Sequence, residues 1–290
     1  MKNTDTYSRI ISGTMTWGKW GKKLSTNKII ALMEHCLQIG ITTFDHADIY
    51  GDYTTEADFG KAFAESKIAR KEVQFISKCG IQMVTGRPNP VKHYEYTKEY
   101  IIRSAEESLK KLKTEYLDLL LLHRPSPLMD PQEIAEAIEI LKKDGKIRQF
   151  GVSNFTPSQI ALLETAIPVD ANQVEFSLTA NDVMYDGALD DTMIKNRLAM
   201  SWSPLGIYFR ENSKQTTRIR KVLHKLCEKY DAEEDQLLLA WILKHPSKIY
   251  PVVGTTTPIR LEMAVKSVDI EMELEDWFIL LEASKGQEVP

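Results

Sequence analysis

Four polar residues of this 290-residue chain follow apolar runs that have the composition of buried β-strands. Asp45 and Tyr50 lie in FDHADIYG, Lys78 lies in VQFISKCG, and His123 lies in YLDLLLLHRP. In a parallel α/β barrel the carboxyl ends of the strands share one face, so residues far apart in sequence meet there. The sequence therefore predicts that a carboxylate, a phenol, an ammonium group and an imidazole line one pocket.

These four residue types are together suited to carbonyl chemistry. A free phenol titrates near pH ~10, and we expect the Lys78 ammonium to stabilise the phenolate and lower the pKa of Tyr50. Asp45 would hold Lys78 charged, and His123 would donate a hydrogen bond to a substrate carbonyl oxygen. Tyr50 is then a general acid that protonates an alkoxide as it forms. The alternative is structural: Asp45 and Lys78 form an ion pair between strands, and the other two residues take no part.

Eight short apolar segments, with helical patterns between them, must position these residues. The predicted strands are 9–15, 42–47, 73–78, 117–123, 149–154, 171–177, 198–203 and 250–254. The predicted helices are 26–39, 56–65, 98–113, 131–143, 157–165, 188–196, 218–230, 232–244, 258–266 and 274–284. Near-continuous apolar strands that alternate with helices favour an α/β fold, a (β/α)8 TIM barrel with extra C-terminal helices in one domain over residues 1–290. The alternative is an open doubly wound sheet, but no G-x-G-x-x-G follows the first strand.

Composition and charge argue against several other classes of protein. The net charge of −4 and the pI near 5.9 are atypical of a general nucleic-acid binder. No apolar run approaches the ~20 residues of a membrane span, and the first residues lack the order of a secretory signal. Cys36, Cys79 and Cys227 are widely separated, and the six histidines lack metal-ligand spacing. We therefore expect a reduced, cytoplasmic protein without a metal, a membrane span or a nucleic-acid partner.

The chain resembles the aldo-keto reductases from end to end. The strings FDHADIYG, SKCG, LLLHRP, GVSNF, NQVEFS and SWSPLG occur in the order that this family uses. The resemblance implies a TIM barrel, a nicotinamide cofactor that is usually NADPH, and a catalytic tetrad that falls on Asp45, Tyr50, Lys78 and His123.

The resemblance also implies the residues that hold the cofactor. They are Ser153, Asn154, Gln173, Trp202, Ser203, Leu205, Gly206, Arg210, Gly254, Thr255, Thr256 and Arg260. The amides of Asn154 and Gln173 offer the donors and acceptors that a nicotinamide carboxamide needs. Trp202 would stack on the nicotinamide, although a core tryptophan is the alternative. Residues 206–217 would cover the pyrophosphate, with Arg210 and Lys214 near its charge.

The last segment of the predicted cofactor site departs from the family pattern. Thr255, Thr256 and Arg260 would hold the adenosine 2′-phosphate at the start of a helix. Gly254 stands where many members carry a lysine, and Ala264 where many carry an asparagine that contacts adenine. Because Arg260 is retained, NADPH is favoured over NADH.

The candidate substrate contacts are Trp17, Trp20, Tyr53 and Arg124, which lie beside the tetrad residues or after the first strand. Either tryptophan could instead be surface packing. Residues 83–96 form a long loop after the third strand, and such loops usually set specificity in barrel enzymes. Little chain remains after the last helix to form a flap, which predicts an open pocket and broad substrate tolerance.

Together these observations predict an NADPH-dependent reductase of small-molecule aldehydes or ketones. The alternative is a barrel that binds the nicotinamide cofactor but works as a redox-sensing or regulatory subunit, because a fold does not determine function. The complete tetrad argues against this alternative. A metal-dependent barrel enzyme is a third hypothesis, and the absence of ligand spacing argues against it.

Overall fold

The computed structural model describes residues 6–289. The strands are β1 Ile11–Gly13, β2 Thr43–Asp45, β3 Gln74–Cys79, β4 Ile81–Gln82, β5 His93–Tyr94, β6 Leu117–Leu122, β7 Ile147–Ser153, β8 Ala171–Glu175, β9 Leu198–Trp202 and β10 Tyr250–Val253. Eight of them pair in parallel and close a barrel in the order β1-β10-β9-β8-β7-β6-β3-β2. This closed barrel confirms the predicted fold class and excludes an open doubly wound sheet.

The helices lie outside the barrel, between the strands. They are α1 Thr26–Gln38, α2 Tyr50–Tyr53, α3 Thr55–Glu65, α4 Lys98–Leu112, α5 Pro131–Lys143, α6 Pro157–Leu163, α7 Ala188–Lys195, α8 Lys214–Tyr230, α9 Glu234–Leu243, α10 Pro258–Lys266 and α11 Leu274–Lys285. As predicted, two helices, α8 and α9, separate β9 from β10. Helix α11 packs against α8, so the C-terminal extension closes the outer layer of the barrel.

Strand β6 shows why these apolar runs form a parallel barrel. All six of its residues are buried. Leu119 and Leu121 belong to the cluster inside the barrel with Ile76, whereas Leu120 and Leu122 pack with the surrounding helices. Burying one leucine side chain contributes about 1.5–3 kcal/mol, so a strand that is apolar on both faces is stable only between two layers.

Most helix starts follow the capping chemistry of the sequence. Thr97, Asp130 and Thr156 accept hydrogen bonds from backbone N–H groups in the first turns of their helices. Ser25 makes no such bond. Helix α8 begins four residues earlier than predicted, because the Ser213 side chain accepts from the N–H of Thr216. The segment predicted to cover the pyrophosphate, residues 206–217, is therefore shorter, because its last four residues belong to α8.

A small hairpin occupies the long loop that follows β3. Strands β4 and β5 pair antiparallel, with Ile81 opposite Tyr94 and Gln82 opposite His93. The sequence pattern predicts a long loop over residues 83–96 and does not indicate this hairpin. This hairpin stands beside the carboxyl ends of β2 and β3, so it forms a wall on that side of the barrel.

Candidate active site

The structure brings the four tetrad residues together at the carboxyl ends of β2, β3 and β6. Asp45 ends β2, Lys78 is the last residue but one of β3, and His123 directly follows β6. Lys78 Nζ donates to both Asp45 carboxylate oxygens at 2.7 Å and lies 3.2 Å from Tyr50 Oη. The His123 and Tyr50 rings are 6.2 Å apart and meet edge to face. The predicted convergence of these side chains is therefore present.

Lys78 and Asp45 form an ion pair that is closed to solvent, with exposed fractions of 1% and 2%. Burial by itself lowers the pKa of Lys78, but Asp45 and Tyr50 together outweigh this effect, and the net direction is upward. The carbonyl oxygen of His46 accepts a further hydrogen bond from Nζ at 2.8 Å. Gln173 Nε2 donates to Asp45 Oδ1 at 3.0 Å. Lys78 is thus a fixed positive charge aimed at the phenol of Tyr50.

The pKa of Tyr50 is raised, which is opposite to the expected direction. Burial is the largest cause, because it penalises the phenolate; Lys78 opposes this effect and Asp45 adds to it. The expectation of a lowered pKa neglected the cost of burying the anion. At neutral pH the phenol is therefore protonated and able to donate its proton.

His123 is neutral at physiological pH. Burial lowers the pKa of its imidazole well below the usual value, and the positive charges of Lys78, Arg124 and Lys92 lower it further. No described residue forms a hydrogen bond with its buried Nδ1 atom. A neutral imidazole has one N–H donor, which suits it to polarise a carbonyl oxygen without a full charge.

The turn that carries Tyr50 is held in an unusual backbone conformation. Gly51, Asp52 and Tyr53 all have positive φ, at 60°, 55° and 69°. Such values cost non-glycine residues about 1–3 kcal/mol each. The Asp52 carboxylate accepts a hydrogen bond from Trp20 Nε1 at 3.0 Å and pairs with Lys19 at 2.7 Å. The loop after β1 therefore stabilises the turn that presents Tyr50.

A cavity of about 450 Å³ opens above the tetrad, and we call it the first cavity. The predicted site residues that line it are Trp20, Asp45, Tyr50, His123, Arg124, Ser153, Asn154, Gln173, Trp202, Ser203 and Gly254. Lys78 lies beneath them, in contact with Tyr50. The sequence analysis missed Met15, Thr16, Ile49, Ile81, Met83, Lys92, Pro204 and Val252, which complete the lining with Gly13. The position of Lys92 in the long loop after β3 was the available signal for that residue.

Polar residues at the ends of β7, β8 and β9 form a preorganised network on one side of the first cavity. Ser153 Oγ donates to the Gln173 carbonyl at 2.9 Å, and Asn154 Nδ2 donates to Ser153 Oγ at 2.8 Å. Trp202 Nε1 donates to Asn154 Oδ1 at 2.9 Å. Trp202 is half-buried with its ring at the cavity, so it is not a core tryptophan. Since the side-chain Nε2 of Gln173 is bound to Asp45, its side-chain Oε1 remains to accept a bond from a ligand amide.

A second cavity of about 320 Å³ continues from the first and shares Ser203, Pro204 and Gly254 with it. Its predicted lining residues are Leu205, Gly206, Arg210, Thr255 and Arg260, together with Ala264. A side chain at Gly254 would meet no atom within 4 Å of its Cβ position, so the space beside this backbone is open. Two guanidinium groups and one carboxylate, Asp235, leave this cavity positive. An extended cleft with amides at one end and arginines at the other fits a phosphorylated dinucleotide.

Four predicted cofactor or substrate contacts line neither cavity. Trp17 is 1% exposed and packs against Phe44 and Phe59, with ring centroids 6.1 and 5.9 Å away. It is a core residue, and its role as a pocket wall is not supported. Thr256 lies beside the second cavity but does not line it. Lys214 is the first residue of α8 and lies outside both cavities.

Tyr53 also serves the structure around the pocket rather than the pocket itself. Its hydroxyl accepts from the N–H of Met83 at 2.9 Å and lies 3.4 Å from the Ile81 carbonyl. The Arg87 guanidinium lies 4.3 Å from its ring centroid. Tyr53 therefore anchors the loop after β4 to the turn that carries Tyr50, and it does not line the first cavity.

Residues 6–289 contain no group of three or more His, Cys, Asp or Glu side chains that could hold a metal ion. No helix in the same range has the length and apolar character needed to cross a membrane.

Comparison with known proteins agrees with this geometry. The sequence matches the Aldo/keto reductase family over residues 9–284. It is 39% identical to the Bacillus subtilis (strain 168) protein "Uncharacterized oxidoreductase YcsN", covering 98% of this chain and 96% of that protein. It is 36% identical to the 6-dehydroglucose reductase of Agrobacterium fabrum (strain C58), covering 97% and 96%. A Klebsiella pneumoniae aldo/keto reductase solved with NADP and acetate superposes with a TM-score of 0.79 at 25% identity, covering 98% of this chain and 93% of that one. This chain therefore belongs to the aldo/keto reductase family and is an oxidoreductase.

Proposed function

We propose that this protein reduces aldehydes or ketones to alcohols with NADPH, and that Tyr50 donates the proton. The observation that carries the proposal is the contact between Tyr50 Oη and Lys78 Nζ, 3.2 Å long, at the base of the first cavity. A buried ion pair needs no phenol to stabilise it. A phenol held against that pair at a cavity wall is placed for proton transfer.

The cofactor would occupy the cleft made by the two cavities. Ser153, Asn154 and Gln173 would hold the nicotinamide carboxamide, and Trp202 would stack on the ring. Leu205, Gly206 and Arg210 would meet the pyrophosphate, and Thr255, Thr256 and Arg260 the 2′-phosphate, with Ser203 and Gly254 between these groups. NADPH, when bound, supplies a hydride for the carbonyl carbon.

The tetrad residues have separate roles in this proposal. The raised pKa keeps Tyr50 protonated until negative charge develops on the substrate oxygen. Tyr50 then gives its proton to that oxygen, and the nearby Lys78 ammonium stabilises the phenolate left behind. Asp45 keeps Lys78 charged and in place. His123, which lines the same cavity, donates a hydrogen bond to the carbonyl oxygen and orients it.

The regulatory alternative makes a different prediction about turnover. A cofactor-binding subunit would retain NADPH tightly and reduce carbonyls slowly or not at all. The hydrogen-bonded tetrad at the cavity favours the enzyme, because cofactor binding by itself does not require Tyr50 beside Lys78.

Replacing Tyr50 with phenylalanine tests the proposal. Oxidation of NADPH, followed by absorbance, should be measured with a panel of aromatic aldehydes and diketones for wild type and Tyr50→Phe. We expect kcat to fall by about 10²–10⁴-fold, the usual contribution of a general acid, while NADPH affinity stays close to wild type. A variant that keeps most of the rate would show that Tyr50 is not the acid. Tight NADPH binding without turnover in wild type would favour the regulatory alternative.

A second variant tests the choice of cofactor. Arg260 is exposed and lines the second cavity, where it would contact the 2′-phosphate. Because a hydrogen bond to a charged group contributes about 1.5–3 kcal/mol, Arg260→Ala should raise the KM for NADPH by about 10-fold or more. The KM for NADH should change much less. Equal changes for both cofactors would remove Arg260 from the 2′-phosphate site.

A further inference from the structure

The first cavity contains two positive charges that no protein carboxylate neutralises. Its charged lining residues are Asp45, Lys92 and Arg124. Asp45 is paired with Lys78 beneath the cavity. Over the described part of the chain, neither Lys92 nor Arg124 forms an ion pair, and neither side chain forms a hydrogen bond. The cavity therefore has an excess of positive charge beside the tetrad.

Arg124 is fixed at its backbone, while its guanidinium remains available. It follows His123 at the end of β6, and its N–H donates to Tyr96 Oη at 3.2 Å. The guanidinium carbon lies 5.3 Å from the centroid of the Trp202 ring. This side chain therefore extends across the cavity from the tetrad toward the tryptophan, with its N–H donors uncommitted.

Lys92 differs from the other charged and amide side chains of its loop. Arg87 pairs with Glu107 at 3.3 Å, and Gln82 donates to Glu95 at 2.7 Å. Asn89 Nδ2 donates to the Met83 carbonyl at 2.9 Å, which braces the same loop. Lys92 has no comparable partner and instead lines the cavity. Its charge is near enough to contribute to the lowered pKa of His123.

The rest of the wall is largely apolar, while Lys92 is exposed and Arg124 is half-buried at its edge. Met15, Ile49, Ile81, Met83 and Val252 give this cavity a largely apolar surface. A substrate that covers this cavity removes water from both cations, and desolvating a cation against apolar groups is unfavourable unless an anion accompanies it. A ligand that carries an anionic group would supply that charge through strong, charge-assisted hydrogen bonds.

The phosphates of the cofactor are already accounted for elsewhere. Arg210 and Arg260 line the second cavity, which is the proposed site of the pyrophosphate and 2′-phosphate. Lys92 and Arg124 line only the first cavity, together with Tyr50 and His123. The anion that they meet is therefore part of the carbonyl substrate.

We propose that Lys92 and Arg124 form an anion subsite, and that the preferred substrates are aldehydes or ketones carrying a carboxylate or a phosphate group. This inference rests on the proposed carbonyl reductase function and specifies its substrate class. The carbonyl oxygen would lie at Tyr50 and His123, the connecting carbons against the apolar wall, and the anionic group at the subsite.

A matched pair of substrates tests the inference. 4-Formylbenzoate and 4-formylbenzamide have similar size and differ in charge, so wild type should have a larger kcat/KM for the carboxylate. In Arg124→Gln the ratio of the two kcat/KM values should fall by about 10–100-fold, the usual worth of a hydrogen bond to a charged group. Lys92→Gln should lower the ratio in the same direction. Lys221→Gln, which removes an exposed charge on α8, should leave both values unchanged.

A phosphate arm distinguishes the two sources of the anion. Glyceraldehyde 3-phosphate should be compared with glyceraldehyde in the same four proteins. A larger loss of preference for the phosphate than for the carboxylate on removing Arg124 or Lys92 would identify a phosphorylated substrate. The reverse order would identify a carboxylate.

Three results would overturn the anion subsite without affecting the proposed function. They are equal kcat/KM values for charged and neutral substrates in wild type, equal losses for both in Arg124→Gln, and a raised KM for NADPH as the main effect of the substitutions. In each case Tyr50-dependent reduction of 4-formylbenzamide would still support a reductase.

If wild type reduces neither aldehyde, kcat/KM cannot be compared for this pair of substrates, and binding decides the inference. Tryptophan fluorescence of the NADPH-loaded protein should then be titrated with benzoate and benzamide. Tighter binding of benzoate that is lost in Arg124→Gln would retain the subsite, and equal binding of both would reject it.

Discussion

Two pairs of buried ionisable side chains lie close together near the ends of β2 and β3, and they contrast in charge and in solvation. Asp45 and Lys78 have opposite charges and face the first cavity. Asp48 and Glu56, which we call the acid cluster, are both carboxylic acids and face α4 on the outer side of the barrel. Tyr50 lies between Asp48 and Glu56 in the sequence. The same short segment of chain therefore contributes to both environments.

The acid cluster is solvated by hydroxyl groups instead of by a cation. Asp48 Oδ2 accepts from Tyr100 at 3.3 Å and from Ser104 at 3.2 Å. Glu56 accepts from Ser77 at 2.6 Å and from Ser108 at 3.1 Å. Tyr100, Ser104 and Ser108 are spaced four residues apart and so share one face of α4.

A buried acid that is paired with a cation and a buried acid that accepts bonds from hydroxyl groups differ in protonation state. In the ion pair, Asp45 together with Tyr50 outweighs desolvation, so the pKa of Lys78 is raised and the ammonium stays charged. In the acid cluster, burial and the neighbouring Glu56 raise the pKa of Asp48 to about 7, and burial raises the pKa of Glu56 as well. The comparison shows that a charge needed for chemistry is kept by an opposite charge, whereas hydroxyl groups suffice for acids that hold helices to strands.

Removing Lys78 should give the largest effect. Lys78→Met leaves the Asp45 carboxylate buried without its cation, which typically costs about 3–5 kcal/mol of unfolding free energy. The rate of carbonyl reduction should fall by about 10³-fold or more, because Tyr50 loses the charge that stabilises its phenolate. Denaturant unfolding and NADPH oxidation measure the two effects.

A double variant separates stability from chemistry in that experiment. Asp45→Asn combined with Lys78→Met removes both charges and should recover much of the lost unfolding free energy. The reduction rate should remain low. A double variant with a rate near wild type would mean that the ion pair is only structural.

Asp48→Asn should have an intermediate effect that depends on pH. Because the native pKa of Asp48 is about 7 and the unfolded value is near ~3.9, the native state binds more protons between these values. This contribution to stability is complete below about pH 4 and is lost as the pH rises to 7, by on the order of a few kcal/mol. The variant should therefore lose less stability than wild type between pH 5 and pH 8 in denaturant titrations.

Other groups around Asp48 determine how the result is interpreted. Glu56 and Cys79 also have raised pKa values there, and Arg87 acts in the opposite direction on Asp48. Glu56 should therefore leave some pH dependence in the variant. Glu99→Gln, an exposed acid on the same α4 helix, is the control and should leave the pH slope unchanged. An identical slope in Asp48→Asn and wild type would contradict a buried, protonated Asp48.

Ser108→Ala should give the smallest effect. It removes one hydroxyl from Glu56 and should lower the unfolding free energy by about 1–2 kcal/mol, since a buried acceptor loses one of its partners. The reduction rate should stay within about twofold of wild type, because Ser108 lies outside both cavities. Ser158→Ala, an exposed serine on α6, is the matched control. If Ser108→Ala lost carbonyl reduction but kept its stability, the acid cluster would have a role in catalysis. That result would contradict its assignment as a purely structural pair.

The sequence predicted the features that depend on local pattern. The apolar runs predicted all eight barrel strands. A strand buried on both faces is a nearly continuous apolar run, which can be recognised without knowing which strands pair with it. Asp45, Lys78 and His123 were predicted to converge because each directly ends such a run. Capping explains the four-residue difference at α8, where Ser213 and Thr216 begin the helix without an acidic residue in the first turn.

Features that depend on contacts between distant segments were not predictable in the same way. Trp17 and Trp20 lie three residues apart in one loop, yet one packs against Phe44 and the other reaches Asp52 at the cavity. The upward direction of the Tyr50 pKa depends on how much protein covers the phenol. Lys92 is distinguished only by the absence of a partner among the described residues around it.

The sequence by itself therefore determined the barrel, the order of its strands along the chain and the residue types at their carboxyl ends. These follow from burial and periodicity, which each segment carries within itself. Only the tertiary structure decided which tryptophan faces the cavity, which carboxyl groups are charged and which cations remain unpaired. Those properties depend on distance and desolvation between segments that lie far apart in the chain, and neither quantity is written in local sequence.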